Sequence, residues 1–361
     1  MTAPNPSPRA DLLGLPRPEL AELLAPVVDR PFRALQVYDA IHRRAVTDFD
    51  SMTDLSRVLR EQLAASFSLS LPEVASRRES GDGTTKFLLR LADGASIEAV
   101  DIPDTKRRTL CISSQAGCGL ACAFCVTGHW GAGRNLTAGE IVGQVMLVRK
   151  LQELPPTLNL VFMGMGEPLL NLGAVKTAID LLSETISLRR MTLSTAGVVP
   201  GIDAMAQWER RPNLAISLHA PDDTRRDEIM PINKSYPLRE LLDALARYPL
   251  EPRRRITIEY ILLAGFNDHP ADAVALARLL GKLPVKINLI PFNPDPVLGD
   301  RFERPDDERI ERFQETLAAR HFTATVRRTR GEDVGAACGQ LRAFAREPRA
   351  RSRALPSAAR R

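Results

Sequence analysis

Residues 111–125 read CISSQAGCGLACAFC, and within them Cys118, Cys122 and Cys125 stand at C-x3-C-x2-C spacing. Three thiolates on one tight loop can hold three corners of a cubane iron–sulfur cluster and leave the fourth iron open to a substrate. Structural zinc is the competing reading. It needs four protein ligands in a closed tetrahedron, and no neighbouring CxxC or HxxxH completes the set, although His129 or Cys111 could serve as the fourth. The apolar, β-rich run TLCISS leads into the loop, so the thiols follow a strand.

From that strand onward one rhythm governs the chain. The runs TLCISS, LNLVFMGMGEP, MTLSTAG, LAISLHA, ITIEYILLAG, VKINLIPFNP and TATVRRTRG alternate with stretches of helical apolar spacing such as TAGEIVGQVMLVRKLQ, LGAVKTAIDLLSETI, LRELLDALARYPL and DAVALARLLGKL. Strands alternating with helices imply parallel βα units and an α/β fold. Several runs end in residues a buried strand would not choose: Gly166-Glu167-Pro168, Ser194-Thr195, Ser217-Leu218-His219 and Asn293. In a βα barrel such carboxyl ends build the active site, so these should meet at one mouth.

Upstream, residues 10–70 read as helical. ELAELLAPVVD and ALQVYDAIHRRAV carry helical spacing, and Thr53 or Asp54 should cap a third helix in MTDLSRVLREQLAASF. His42 falls on this apolar spacing and is read as a packing or surface residue. TTKFLLRL, a turn at Ala92-Asp93-Gly94, and SIEAVDIP form a hairpin signature.

The 361 residues are 44% hydrophobic and 26% charged, which suits globular domains with sizeable cores and excludes a small stapled scaffold. Aromatics at 5% argue against a broad base-stacking platform. Seven arginines against one glutamate in residues 342–361 carry the surplus of positive charge, so the body is nearly neutral and the tail is a flexible basic arm. No apolar run approaches the roughly 18 residues of a membrane span, and MTAPNPSPRADLL lacks the apolar core of a secretory signal, so a cytoplasmic protein with reduced thiols is expected.

The cysteine loop after the first strand is the signature of the radical S-adenosylmethionine superfamily. Within it the chain resembles the RlmN-type RNA methyltransferases. The likeness rests on CISSQAGCGLACAFC, RNLTAGEIVGQV, VFMGMGEPLLN, TLSTAGVVP, LAISLHAP, RRRITIEYILL, KINLIPFNP, RRTRGEDVGAACGQL and the head QVYDAIHRRAVTDFDSMTDLS, spread from about residue 10 to 345. The resemblance implies a partial (βα)6-type barrel over residues 108–341, a helical accessory domain for RNA over 1–72, a small β-hairpin extension over 73–107 and a basic tail over 342–361. It implies one [4Fe-4S] cluster on Cys118, Cys122 and Cys125, and two molecules of S-adenosylmethionine per turnover, bound at Gly166, Glu167, Ser194, Ser217, Leu218, His219 and Asn293. It also implies substrates, 23S ribosomal RNA and transfer RNA, an electron donor such as flavodoxin, and a monomer.

The resemblance employs the two isolated cysteines as well. Cys338 would be methylated on sulfur, Cys111 would resolve a covalent RNA adduct through a transient disulfide with Cys338, and Glu98 would accept a proton. The chemistry has its own logic. C2 of adenine lies between two ring nitrogens and is too electron-poor to attack a sulfonium methyl, so a one-electron route is required. A sister family methylates C8 of the same base, but the RRTRGEDVGAACGQL stretch and the helical head favour C2. A zinc-stabilised RNA-binding protein without catalysis is the reading from another class. Arg253 to Arg255, Arg327, Arg328 and Arg330 are candidate phosphate contacts. One departure from the family stands beside the cluster loop, where Val126-Thr127-Gly128-His129-Trp130 replaces the usual serine and Thr-Gly-Lys-like sequence.

Overall fold

The computed structural model describes residues 9–341 except 105, 106, 156, 282, 328 and 338. The expected positions of Cys338, Arg328 and the basic tail lie outside the described residues. A ten-stranded sheet dominates, and its strands follow chain order across it: β1 (Glu73–Glu79), β2 (Thr85–Arg90), β3 (Ser96–Pro103), β4 (Arg108–Cys111), β5 (Asn159–Phe162), β6 (Met191–Thr195), β7 (Asn213–Ser217), β8 (Ile256–Leu262), β9 (Val285–Pro291) and β10 (Ala324–Val326). From β4 to β10 every neighbouring pair is parallel, and from β1 to β4 every pair is antiparallel.

Each parallel step is made through helix. α4 (Ala138–Gln152) joins β4 to β5, α5 (Leu172–Leu182) joins β5 to β6, and α6 (Val199–Ala206) joins β6 to β7. α7 (Asp223–Ile229) and α8 (Leu238–Arg247) lie between β7 and β8, α9 (Pro270–Leu280) between β8 and β9, and α10 (Asp307–Ala318) between β9 and β10. The central strands are near-continuous apolar runs, as a sheet covered by helices demands. α4 starts sharply because Thr137 and Glu140 form a capping box, each side chain accepting from the other's backbone N–H.

The expected α/β barrel is present but open: among the described residues β1 and β10 do not pair. Residues 329–337 and 339–341 run back across that opening. Gly331 N donates to Asp82 Oδ2 (3.1 Å), Gly81 N to Asp333 Oδ2 (3.2 Å) and Lys86 Nζ to the Gly335 carbonyl (2.9 Å). Further on, Gln340 Nε2 donates to the Pro294 carbonyl (2.8 Å) and Val126 N to the Gly339 carbonyl (2.7 Å).

Two expectations need correction. The hairpin is the inner part of a three-stranded antiparallel extension continuous with the barrel sheet. Its outer strand, EVASRRE, is exposed along almost its whole length and so carries no apolar alternation to announce it. In the head, α1 (Arg17–Leu24) and α2 (Pro31–His42) lie in the expected segments, whereas α3 (Arg57–Ser66) is capped by Ser56, whose Oγ accepts from Leu59 N at 3.3 Å. Met52 and Leu55 are buried, which keeps residues 52–55 in a turn, and Asp54 pairs with Arg44 at 2.9 Å instead of capping. One apolar cluster runs from Leu12, Leu20 and Ile41 of the head through Leu110, Leu160, Leu193, Ile216 and Ile258 of the sheet. A smaller one, with Phe124, Val126, Met230, Ile261 and Phe292, sits beneath the cysteine loop.

Candidate active site

The loop after β4 is pinned before it reaches the cysteines. Gln144 of α4 accepts from Ser113 N and donates to the Ser113 carbonyl, both at 3.0 Å. Ser113 Oγ donates to the Glu98 carbonyl (2.7 Å) and accepts from Met165 N (3.0 Å), joining the ends of β3, β4 and β5. A short antiparallel ladder, Gln115–Ala116 with Arg134–Asn135, closes the base of the loop. Gly133 is required there, because a Cβ would sit 1.5 Å from the Ala116 carbonyl oxygen. Arg134 clamps the same base through Asp93 and Glu140, both at 2.6 Å.

Cys118, Cys122 and Cys125 line one wall of a cavity of about 160 Å³ at the carboxyl ends of the parallel strands. Gly166, Glu167, Ser194, Thr195, Ser217 and His219 line it too, so most of the polar strand ends meet at one mouth, as expected. Leu218 and Asn293 are not among its lining residues. Leu218 is fully buried, and Asn293 borders an adjoining small cavity that shares Ile290 and Arg327 with the first. Asn293 Oδ1 accepts from Thr329 Oγ1 at 3.0 Å.

Glu167 is buried with both oxygens engaged: Oε1 accepts from Leu169 N (3.0 Å) and Oε2 from Ala196 N (2.7 Å). Burial raises its pKa despite those bonds. Gly166 before it holds φ +100°, and a Cβ there would lie 2.5 Å from Gln115 Cβ. His219 is an internal brace. Its Nδ1 accepts from Ile261 N (3.0 Å), its carbonyl accepts from Asn267 Nδ2 (2.7 Å), and its ring meets Phe124 edge-on at 4.7 Å. Burial lowers its pKa to about 3, so the imidazole is neutral.

Glu98 and Cys111 do not line the cavity, but strand register unites them. Val100 pairs with both Lys86 and Cys111, and Leu88 with Glu98, so the side chains of Lys86, Glu98 and Cys111 share one face of the extension. Lys86 Nζ lies 3.1 Å from Glu98 Oε1, with both side chains almost fully buried. Arg253 to Arg255 precede β8 and therefore lie at the amino ends of the parallel strands, opposite the cavity, where Arg254 binds Asn213 (2.8 Å) and Arg255 binds Thr323 (2.8 Å). Arg327 by contrast lines the cavity.

Two residues escaped the sequence. Arg226 is fully buried and donates to the carbonyls of Leu218 (3.0 Å), Ala196 (2.7 Å) and Ser217 (3.1 Å) and to Asn233 Oδ1 (2.8 Å), tying the ends of β6 and β7 together. Nothing separates it in TRRDE from a solvated arginine. Glu259 lines the cavity from β8, its Oε2 accepting from Asn288 Nδ2 at 2.7 Å. A lone carboxylate inside the apolar run ITIEYILL was the signal that could have found it.

Burial disfavours the thiolate form at two of the three cysteines. Burial, and then the charges of Cys125 and Glu167, raise Cys118 to about 11; burial and the same neighbours together with Cys118 raise Cys122 further. Thiolates so disfavoured call for positive charge beside them. Among the described residues no group of three or more His, Cys, Asp or Glu side chains is gathered closely enough to hold a metal ion. A cubane asks less, because each thiolate binds a different iron.

An open ring of parallel strands with three thiols at its carboxyl mouth defines a class, the radical SAM superfamily, whose family description matches residues 112–277. Superfamily membership implies an iron–sulfur cluster and S-adenosylmethionine. Residues 10–69 match the ribosomal RNA large subunit methyltransferase N-terminal domain. The chain is 48% identical over 344 residues to the dual-specificity RNA methyltransferase RlmN of Anaeromyxobacter dehalogenans (strain 2CP-C), with 92% of each covered. It is 48% identical over 364 residues to that of Halorhodospira halophila (strain DSM 244 / SL1), covering 99% of this chain and 100% of the relative. A radical SAM methyltransferase of Sphaerobacter thermophilus, known from its crystal structure, superposes with a TM-score of 0.87 at 44% identity, over 92% of this chain and 99% of that one. The chain belongs to the RlmN family of radical SAM RNA methyltransferases. No helix among the described residues is long and apolar enough to cross a membrane.

Proposed function

We propose that this protein methylates C2 of adenosine in 23S ribosomal RNA and in transfer RNA, in the latter at the adenosine 3′ of the anticodon, by a radical route in which Cys338 carries the methyl carbon. The observation that carries the reading is the three-thiol cavity at the strand ends, against which Gly339 is seated. Cys118, Cys122 and Cys125 would hold the [4Fe-4S] cluster; when bound, it supplies the electron and the open iron that let S-adenosylmethionine yield a hydrogen-abstracting radical. Gly166, Glu167, Ser194, Ser217 and His219 would contact the S-adenosylmethionine from the cavity wall and Asn293 from the adjoining cavity, while Leu218 shapes the strand end. The two amide donors and the Thr195 side chain hold the Glu167 carboxylate in place, and its remaining lone-pair capacity would accept from the methionyl ammonium.

Cys338 first takes a methyl group by displacement and, after loss of a hydrogen atom from it, bonds through carbon to C2. The adduct gives up its C2 proton to Glu98 and an electron, which would be taken back by the cluster when bound. The Cys111 thiolate then attacks the Cys338 sulfur and breaks its bond to the CH2 carbon, which takes the proton back from Glu98 to become the methyl group; this frees the methylated RNA and leaves a Cys111–Cys338 disulfide for an external donor such as flavodoxin to reduce. Residues 1–72 serve as the accessory RNA-binding unit, 73–107 as the extension, 108–341 as the barrel and the basic tail as added affinity for phosphates. The base must be unstacked to reach the pocket, so a loop or unfolded RNA is the substrate form. The protein acts as a cytoplasmic monomer.

The test is anaerobic reconstitution with iron and sulfide, metal analysis, and incubation with S-adenosylmethionine, a reductant and unmodified ribosomal RNA. About four irons per chain, with 2-methyladenosine formed by the wild type and not by Cys338→Ala, is expected. Stoichiometric zinc without iron, or 8-methyladenosine as product, would falsify the reading.

A further inference from the structure

The ammonium of Lys86 stands where two parts of the proposed chemistry meet. It lies 3.1 Å from Glu98 Oε1 and donates to the Gly335 carbonyl at 2.9 Å, and its side chain is only 4% exposed. Glu98 is on β3 and Gly335 belongs to the strip that crosses the open side of the barrel, so one side chain joins the antiparallel extension to that strip. Gly339, four residues past Gly335, packs on the cysteine loop, where its carbonyl accepts from Val126 N. Burying a lysine this deeply is costly unless its charge is matched, and here the match is a carboxylate that the reaction would use.

We propose that Lys86 is a positioning residue for the reaction: it keeps Glu98 an anion and ties it to the strip running from Gly335 to Gly339. This rests on the functional reading above for the role of Glu98. The sequence places the two residues twelve apart with opposite charges in strands otherwise rich in apolar residues, TTKFLLRL and SIEAVDIP. Register decides that they face each other. Lys86 opposes Val100 and Glu98 opposes Leu88, a diagonal pair on the inner face. On that face Arg78 of β1 stands directly opposite Lys86, Arg90 of β2 opposes Ser96 and pairs with Glu73, and Cys111 of β4 is opposite Val100; Arg327 lies on the wall of the cavity, and Asp82 and Asp333 are held by Gly331 and Gly81 at the far end of the strip. Without the ammonium, a buried Glu98 retains its proton to higher pH and no longer accepts one at neutrality.

The experiment uses the reconstituted full-length enzyme with unmodified ribosomal RNA, comparing wild type, Lys86→Met, Lys86→Arg and Glu98→Gln in single-turnover formation of 2-methyladenosine from pH 6 to 9. Lys86→Met should bind iron like the wild type and lose at least about tenfold in rate at pH 7, recovering as pH rises, because its acid limb moves up by at least about one unit. Lys86→Arg should restore much of the rate and Glu98→Gln should remain slow at every pH. A wild-type profile in Lys86→Met, or a loss equal at all pH values, overturns the proposal. If Lys86→Met fails to fold, Lys86→Gln, which keeps a donor for the Gly335 carbonyl without charge, decides by the same profile. A readout independent of turnover separates this proposal from the functional reading. In infrared difference spectra against Glu98→Gln, a protonated-carboxyl band at pH 7 should be absent from the wild type and present in Lys86→Met. The same band in both would refute the role of Lys86 even if no RNA were methylated.

Discussion

Replacing Arg226 with methionine should destabilise the protein by about 3 kcal/mol. The guanidinium is fully buried and serves four acceptors, the carbonyls of Leu218, Ala196 and Ser217 and the Asn233 side chain. Methionine fills a similar volume and donates nothing. The Leu218 carbonyl keeps the Ala220 N–H, and at about 2 kcal/mol for each of the other three acceptors, stranded away from water, the loss is about 6 kcal/mol. Part is returned, because burial already holds the arginine pKa down to about 10 from 12.5, a charge penalty of about 3 kcal/mol that the apolar variant escapes. The net cost falls at the carboxyl ends of β6 and β7, where Ser194, Thr195, Ala196 and Ser217 wall the cavity. Urea unfolding followed by far-ultraviolet circular dichroism measures it. With a slope near 3 kcal/mol per molar, the midpoint should fall by about 1 M, and Arg226→Lys, which keeps the charge but fewer donors, should lie between. A midpoint within about 0.2 M of the wild type would refute the view that this arginine holds the strand ends together.

Other consequences follow from single contacts. His42 packs against Tyr38 with ring centroids 4.6 Å apart, and burial lowers its pKa to about 4. The folded value lies below the unfolded 6.5, so stability is whole above pH 6.5 and is lost toward pH 4, by about 3 kcal/mol in all. His42→Phe should remove that slope, and equal acid sensitivity of the two proteins in denaturant titrations between pH 7 and 4.5 would contradict it. Ser56→Ala should cost about 1 kcal/mol through loss of the α3 cap, whereas Thr53→Ala should cost less than about 0.5. Gly166→Ala forces a Cβ to within 2.5 Å of Gln115 at φ +100°, and should weaken S-adenosylmethionine binding at least about tenfold by calorimetry while leaving iron content unchanged. Cys122→Ala should abolish iron binding, read as loss of the visible charge-transfer absorbance.

Much was legible from the chain alone because it depends on short-range pattern. All seven apolar runs after residue 108 became strands, since a short β-rich run between stretches of helical spacing is a local signal. Polar endings marked the mouth, and cysteine spacing marked its wall. The outer strand β1 stayed hidden, because an exposed edge needs no apolar alternation, and the α3 cap shifted from Thr53 or Asp54 to Ser56, because burial of Met52 and Leu55 outweighed local capping preference.

By itself the sequence determined most of the elements, their order and the three thiols on one loop, since hydrophobic period and residue spacing are local properties. Only the tertiary structure decided that Lys86 meets Glu98, that Arg226 joins two strand ends and that the strip from residue 329 crosses the open barrel to reach the cysteine loop. Those contacts depend on strand register and on how far the sheet curls, and residues up to 252 positions apart have no local pattern through which to announce their meeting.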